Sequence, residues 1–231
     1  MQLTGEAVTA TANPPRKTHP MPFTRVELAV MSVVEGRLCV LLARRQEDPH
    51  AGKWALPGGV LRIDLDATLD DAAQRVAQER LGVGLPFLCQ LCAVGAKDRD
   101  PRAPWAMSVV YRALLPVESV SAVPGKRIEA LEWRPVDEVV NDKKLAFDHA
   151  VLIQRAVEAT RDEIRRLELP FGFLPEAFTL TELQVTCEQL LGDRLDKSSF
   201  RRRLDALGVV EAIEGEMRGG AFRPAQLYRR R

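Results

Sequence analysis

Leu56-Pro57-Gly58-Gly59-Val60-Leu61-Arg62-Ile63-Asp64-Leu65-Asp66-Ala67-Thr68-Leu69-Asp70-Asp71-Ala72-Ala73-Gln74-Arg75-Val76-Ala77-Gln78-Glu79-Arg80-Leu81-Gly82-Val83 is the stretch on which the reading of this 231-residue chain turns. A glycine pair closes an apolar run, a linker carries Asp64 and Asp66, and a short helix follows. Leu69, Ala72, Ala73, Val76 and Ala77 recur at helical spacing, so one face of that helix is expected to pack on a core. Arg75 and Glu79 stand four residues apart, the spacing of an ordinary helical ion pair.

Upstream, Arg25–Val34 and Arg37–Arg44 are apolar, β-branched runs joined by Glu35-Gly36, the pattern of a hairpin. The turn-rich Glu47–Gly52 leads to Lys53-Trp54-Ala55-Leu56 and so into the glycines. Downstream, strands are expected at Phe87–Val94, Trp105–Leu115 and Ala130–Arg134. Leu145–Leu167 reads as a long amphipathic helix stopped by Pro170. A domain is therefore expected over residues 23–167. Residues 1–22, polar and proline-bearing without periodicity, read as a flexible arm.

Residues 168–231 follow another plan. Thr179-Leu180-Thr181-Glu182 is a capping box that opens a helix with Leu183, Cys187, Leu190 and Leu191 on one face. Asp196 caps a second helix, Lys197–Leu207, whose buried stripe is expected to be Phe200, Leu204 and Leu207; Gly208 closes it. Strand-like Val209–Ile213 and Ala225–Arg229 flank a glycine-bearing loop. Helix, turn, helix and hairpin is the order of a winged helix-turn-helix. On the second helix Ser198, Ser199, Arg201 and Arg202 are candidates for the DNA face, with Lys197 and Arg203 at its flanks suited to phosphate. Arg218 and Arg223 on the wing and Arg229 near the terminus extend the strip. The competing reading is a solvated charge run on a small helical domain.

Composition narrows the classes. Hydrophobic content of 46% with 28% charged residues describes an ordinary globular protein, and the net charge of +1 gives no global sign of nucleic-acid binding. No run is long enough to span a membrane and no secretion signal is visible. Four cysteines in apolar surroundings suit a cytoplasmic setting. Cys89 and Cys92 form a Cys-x2-Cys pair without the further ligands of a zinc site, and are expected to be buried core thiols.

The opening stretch resembles the box of the Nudix hydrolases, Gly-x5-Glu-x7-Arg-Glu-(apolar)-x-Glu-Glu-x-Gly-(apolar). Gly59, Arg75, Ala77, Glu79, Gly82 and Val83 fit; Val76 and Arg80 stand where two glutamates belong. The linker is also two residues longer than the pattern, so Asp64 or Asp66 need not reach the place of the missing first glutamate. Magnesium-assisted diphosphate cleavage needs carboxylate oxygens. Val76 has none, and Arg80 would oppose a cation by roughly 4 kcal/mol per unit-charge pair at 4 Å. No catalytic residue and no metal ligand is therefore expected. Asp64, Asp66, Asp70, Asp71 and Glu79 are the alternative carboxylates that would keep an enzyme possible.

A pocket can outlast its metal. Arg44, Arg45 and Lys53 with Trp54 and Trp105 suit a diphosphate with a base or ribose stacked beside it. Gly58, Gly59, Arg75, Glu79 and His149 complete the candidate ligand set. Trp54 as core and His149 as a satisfied helix-start group are the plainer alternatives.

Both parts together resemble the Nudix-related transcriptional regulators. The resemblance rests on Lys53–Gly59, Ala146–His149, Phe178–Leu183, Leu195–Arg202 and Arg223–Tyr228. It implies an α/β/α Nudix sandwich with a mixed sheet plus a C-terminal winged helix-turn-helix. It further implies a homodimeric repressor of NAD biosynthesis or salvage genes on a palindromic operator in double-stranded DNA. ADP-ribose or a related NAD metabolite would be the effector, with no cofactor required and no membrane partner. The rival expectation is an active ADP-ribose pyrophosphatase with an accessory tail domain.

Overall fold

The computed structural model describes residues 20–219 and 224–231. Residues 1–19 of the expected arm and the candidate Arg223 lie outside the described residues.

Strand β1 (Phe23–Val34) turns into β2 (Arg37–Arg45) with Val34 opposite Arg37 and Met31 opposite Val40. Glu35 and Gly36 both take positive φ, 49° and 78°, the conformation that a two-residue hairpin needs to match the strand twist. Short β3 (Trp54–Ala55) and β4 (Gly58–Val60) precede α1 (Leu69–Leu81). Thr68 and Asp71 cap α1 reciprocally, and Gly82 ends it in the left-handed region at φ 70°. Then come β5 (Cys89–Asp100), β6 (Ala103–Leu114), β7 (Ile128–Pro135), α2 (Val136–Val139) and α3 (His149–Arg165).

The sheet runs β3-β2-β1-β6-β5, with β4 also paired to β1 and β7 to β2. β1 and β6 are parallel and the other pairs antiparallel, so the sheet is mixed as expected. Strand alternation splits β1 between two layers. Val26, Leu28 and Val30 pack with Ala72, Ala73, Val76 and Ala77 of α1, while Ala29 and Met31 join the cluster of Leu152, Ile153 and Ala156 of α3. That is the α/β/α sandwich.

The tail forms α4 (Leu180–Leu191), α5 (Lys197–Leu207) and the wing strands β8 (Val210–Arg218) and β9 (Ala225–Arg230). Thr179 and Glu182 make the expected capping box, Asp196 accepts from Ser199 N–H at 2.8 Å, and Gly208 terminates α5. The plan changes after α3, but the apolar core does not stop there. Ile164 and Leu167 lie in one cluster with Leu183, Cys187, Leu190 and Leu191, so the winged helix is packed directly onto the sandwich.

Several expectations are corrected. The long helix is shorter than Leu145–Leu167 because Phe147 and Leu167 take φ of 55° and 62°, outside helical geometry. Cys89 is exposed and Cys92 only half-buried, because β5 is the last strand of the sheet; Cys39 and Cys187 are buried. Phe87 lies before the strand, 83% exposed. Leu207 is 55% exposed rather than part of the α5 stripe, which Phe200 and Leu204 supply by themselves.

Candidate functional site

The glycine pair owes its identity to packing. A Cβ on Gly58 would stand 1.7 Å from Glu27 Oε2, and one on Gly59 2.7 Å from a methyl of Val76. Both contacts are shorter than any real Cβ contact, so the strand β4 can lie against β1 and α1 only as glycine. Val76 is fully buried there. Arg75 donates two bonds to Asp66 at 2.7 and 2.8 Å, one to Val60 O at 2.9 Å, and one to Glu79 at 3.3 Å. Asp66 therefore does reach the helix across the longer linker, and that hydrogen-bonded pairing holds its carboxyl below the usual range. Asp64 instead pairs with Arg62 at the surface.

Arg80 lies across the carbonyl side of the glycines. Its Nε donates to Gly58 O at 3.0 Å and its Nη1 to Lys126 O. A divalent ion does not fit this arrangement. One box position is a buried isopropyl group, another is a guanidinium, and the carboxylates on the helix side, Asp66 and Glu79, are already bonded to Arg75. Among the described residues no cluster of three His, Cys, Asp or Glu side chains is arranged to hold a metal ion.

What Arg80 does border is a cavity of about 70 Å³. Five arginines (Arg25, Arg45, Arg80, Arg102 and Arg127) line it with only two carboxylates, Glu47 and Asp48. Arg25 is matched by buried Glu27 at 2.7 Å, and Arg102 by Asp100 at 2.5 Å. Arg45 and Arg80 bond only backbone carbonyls among the described residues. Burial, then the charges of Arg25 and Arg102, push Arg45 below the ordinary arginine value; burial, then Arg127, do the same to Arg80. The cavity is thus short of negative charge, and an anionic group there would be drawn to two guanidiniums at once. Its volume suits one such group and not a whole dinucleotide. Beside it lies a larger apolar groove of about 780 Å³ lined by Phe23, Leu61, Ile63 and Trp105, with Val60 shared between the two. Arg102 lies 5.0 Å over the Phe23 ring, linking them.

The expected ligand residues separate accordingly. Arg45 and Gly58 line the cavity, and Trp105 the groove. Arg44 points away to Glu129, as neighbouring strand residues must. Lys53 is exposed. Trp54 packs against the α3-side core under Arg134. Gly59, Arg75 and Glu79 brace the scaffold. Arg25, Arg80, Arg102 and Arg127 are the cavity arginines that sequence reasoning did not count among the ligand residues, Arg80 having been read only as the place of a lost glutamate. Nothing in an isolated arginine at a strand start says that four others converge on it.

His149 lies beneath the cavity, 1% exposed, its Nδ1 accepting from Leu56 N–H at 2.9 Å. Burial lowers its pKa to about 4, against partial relief from Glu27. Between about pH 6.5 and 4 the unfolded chain binds a proton that the folded chain refuses, so stability falls with pH across that window. The expected loss is on the order of 3 kcal/mol over the full interval. Urea unfolding at several pH values should show this slope, flattened in His149→Asn; an identical slope in the variant would refute the assignment.

On the tail, Lys197, Ser198, Arg201 and Arg202 are exposed along α5, and Ser199 is half-buried with its N–H bonded to the Asp196 cap. Arg201 and Arg202 have no polar partner among the described residues. Arg218 is turned onto Glu182 and Ala177 O, Arg229 onto Glu211, and Arg203 onto Arg165 O.

The NUDIX domain family model matches residues 23–156, and that of the NrtR DNA-binding winged helix domain matches residues 170–230. A relative from Acinetobacter baylyi, named ADPR responsive transcriptional repressor NtrR, is 37% identical over 93% of this chain and 84% of its own. Shewanella oneidensis NrtR complexed with a 27mer DNA superposes at TM-score 0.69 with 33% identity, covering 90% of this chain and 93% of that one. The NUDIX domain of the same Shewanella protein complexed with ADP ribose gives 0.55 and 31%, over 61% and 90%.

Proposed function

This chain belongs to the NrtR family, a Nudix domain joined to a DNA-binding winged helix, and from that premise we propose that it is a transcriptional repressor controlled by ADP-ribose or a closely related NAD metabolite. The genes it controls are those of NAD biosynthesis or salvage. It acts in the cytoplasm as a homodimer on a palindromic operator, because two copies of α5 must enter successive major grooves. The observation that carries this reading is Arg80 over the Gly58 carbonyl in a charge-deficient arginine cavity. A guanidinium there favours holding a phosphate and disfavours the metal that would cleave it.

In this reading one phosphate of the diphosphate enters the arginine cavity, and the base or ribose lies in the neighbouring groove against Trp105. Bound effector changes DNA affinity only if it favours one arrangement of the two domains over the other. The domain is not a hydrolase. Its rival, an ADP-ribose pyrophosphatase with an accessory tail, predicts multiple turnover of ADP-ribose to AMP and ribose phosphate with magnesium or manganese.

Two measurements separate these readings. Titration of the protein onto duplex DNA from its own upstream region, with and without ADP-ribose, should show salt-dependent binding that ADP-ribose alters. Sustained turnover, or DNA affinity indifferent to ADP-ribose, would overturn the proposal. Arg202→Ala should weaken operator binding by about 10-fold, in line with the 1–3 kcal/mol of a base-reading arginine. Equal loss on random duplex would assign Arg202 to phosphate instead.

A further inference from the structure

Arg203 belongs to the helix offered to DNA, yet its exposed guanidinium is turned along the surface onto the end of α3. Its Nη2 donates to the carbonyl of Arg165, the last residue of α3, at 2.5 Å. That carbonyl is one of those a helix end leaves without an internal partner, and a cation there also meets the negative end of the helix dipole. Among the described residues, it is the one hydrogen bond between residues up to 167 and those from 171 onward. The core between the domains is apolar, with Ile164 and Leu167 in one cluster with Leu183 and Leu190, and a cleft lined by Arg37, Arg161, Glu188 and Gln189 flanks it without a hydrogen bond across it among the described residues. Apolar packing tolerates sliding and rotation, whereas a directional bond favours one orientation.

The other end of α3 is built into the effector site. His149, its first residue, accepts from Leu56 N–H in the cavity wall, and Asp148 before it takes a two-pronged bond from Arg99 at 2.8 Å each. Near the C-terminus, Arg112 of β6 grips Glu163 and Thr160. Held at both ends, α3 is a strut of about 25 Å tied to the sheet.

We infer that Arg203 is a positioning residue and not a DNA phosphate contact: it locks the recognition helix to the C-terminus of α3, so that a change at the cavity reaches the DNA-reading surface. This rests on the regulatory reading above.

The test uses the full chain carrying Arg203→Ala or Arg203→Lys, upstream duplex DNA and ADP-ribose. For the alanine variant, the factor by which ADP-ribose changes DNA affinity should shrink at least fivefold, with ADP-ribose affinity in the absence of DNA unchanged. The dependence of log affinity on log salt should keep the wild-type slope. Lysine, which can still donate to the carbonyl, should restore most of the coupling. A slope shallower by about 0.9 with wild-type coupling would make Arg203 a phosphate contact and overturn the inference. Hydrogen exchange across residues 165–171 of the DNA-free protein supplies a readout independent of the effector. It should accelerate in the alanine variant and not in the lysine one. If wild-type DNA binding ignores ADP-ribose, the regulatory reading fails, and this exchange pattern still decides whether Arg203 locks the domains; equal exchange in all three proteins would refute the lock.

Discussion

Replacing Arg80 by Glu is expected to weaken ADP-ribose binding by about 100-fold or more, while hydrolysis stays absent. In the proposed complex the guanidinium donates charge-assisted bonds, each contributing roughly 1.5–3 kcal/mol, and every 1.4 kcal/mol is a factor of ten. Glutamate removes that attraction and adds repulsion in a cavity that excludes most water. It also returns one carboxylate to the box, but Val76 remains buried against Gly59 and offers no second ligand. Calorimetric titration of ADP-ribose into the variant measures the first effect, with a thermal melt to establish that the fold persists. Arg80→Lys, which keeps the charge and loses the fork, should fall between. An affinity within threefold of wild type would remove Arg80 from the site, and turnover in the variant would show that the box needs less repair than proposed.

The second large effect concerns stability. Arg25 and Glu27 form a pair with side chains 7% and 1% exposed, and Glu27 Oε2 has no hydrogen-bond partner among the described residues. The remaining neighbours of the carboxylate are weak, with Ser108 Oγ at 3.4 Å and His149 Nε2 at 3.9 Å. Arg25→Met leaves a buried charge without its counter-ion, which costs about 3–5 kcal/mol. That is a large part of the 5–15 kcal/mol typical of a folded domain. Removing both charges, as Arg25→Met with Glu27→Leu, should recover most of the loss, since a matched apolar pair avoids desolvation altogether. Denaturant unfolding of the single and double variants makes the comparison. If the single variant loses under about 1 kcal/mol, the pair is not the buried ion pair described. A double variant as stable as wild type would mean that the pair is retained for the cavity, where Arg25 also stands, and not for stability.

The elements were largely legible because each is announced locally. The hairpin at Glu35-Gly36, the capping box at Thr179 and the Asp196 cap all rest on interactions within four residues, and the structure has each of them. Val76 and Arg80 likewise marked a box that departs from its pattern at two glutamate positions, since a missing carboxylate is visible in any fold. Less was legible where exposure depends on a neighbour far along the chain. Cys89 reads as a core thiol until β5 proves to be the last strand of the sheet.

The site divides along the same line. Residue types and short-range spacing by themselves established two modules, a defective box and a basic helix. Which arginines meet was decided by strand pairing and by the return of the chain at Arg102 and Arg127, because convergence is a property of distance in space. Arg44 and Arg45 are adjacent in sequence and equal in charge, yet pleating sends one to Glu129 and the other to the cavity. Arg203 follows the same logic. Its sequence places it beside two arginines on the exposed helix, and only the packing of α5 on α4 and of α4 on α3 brings its charge to a carbonyl thirty-eight residues away.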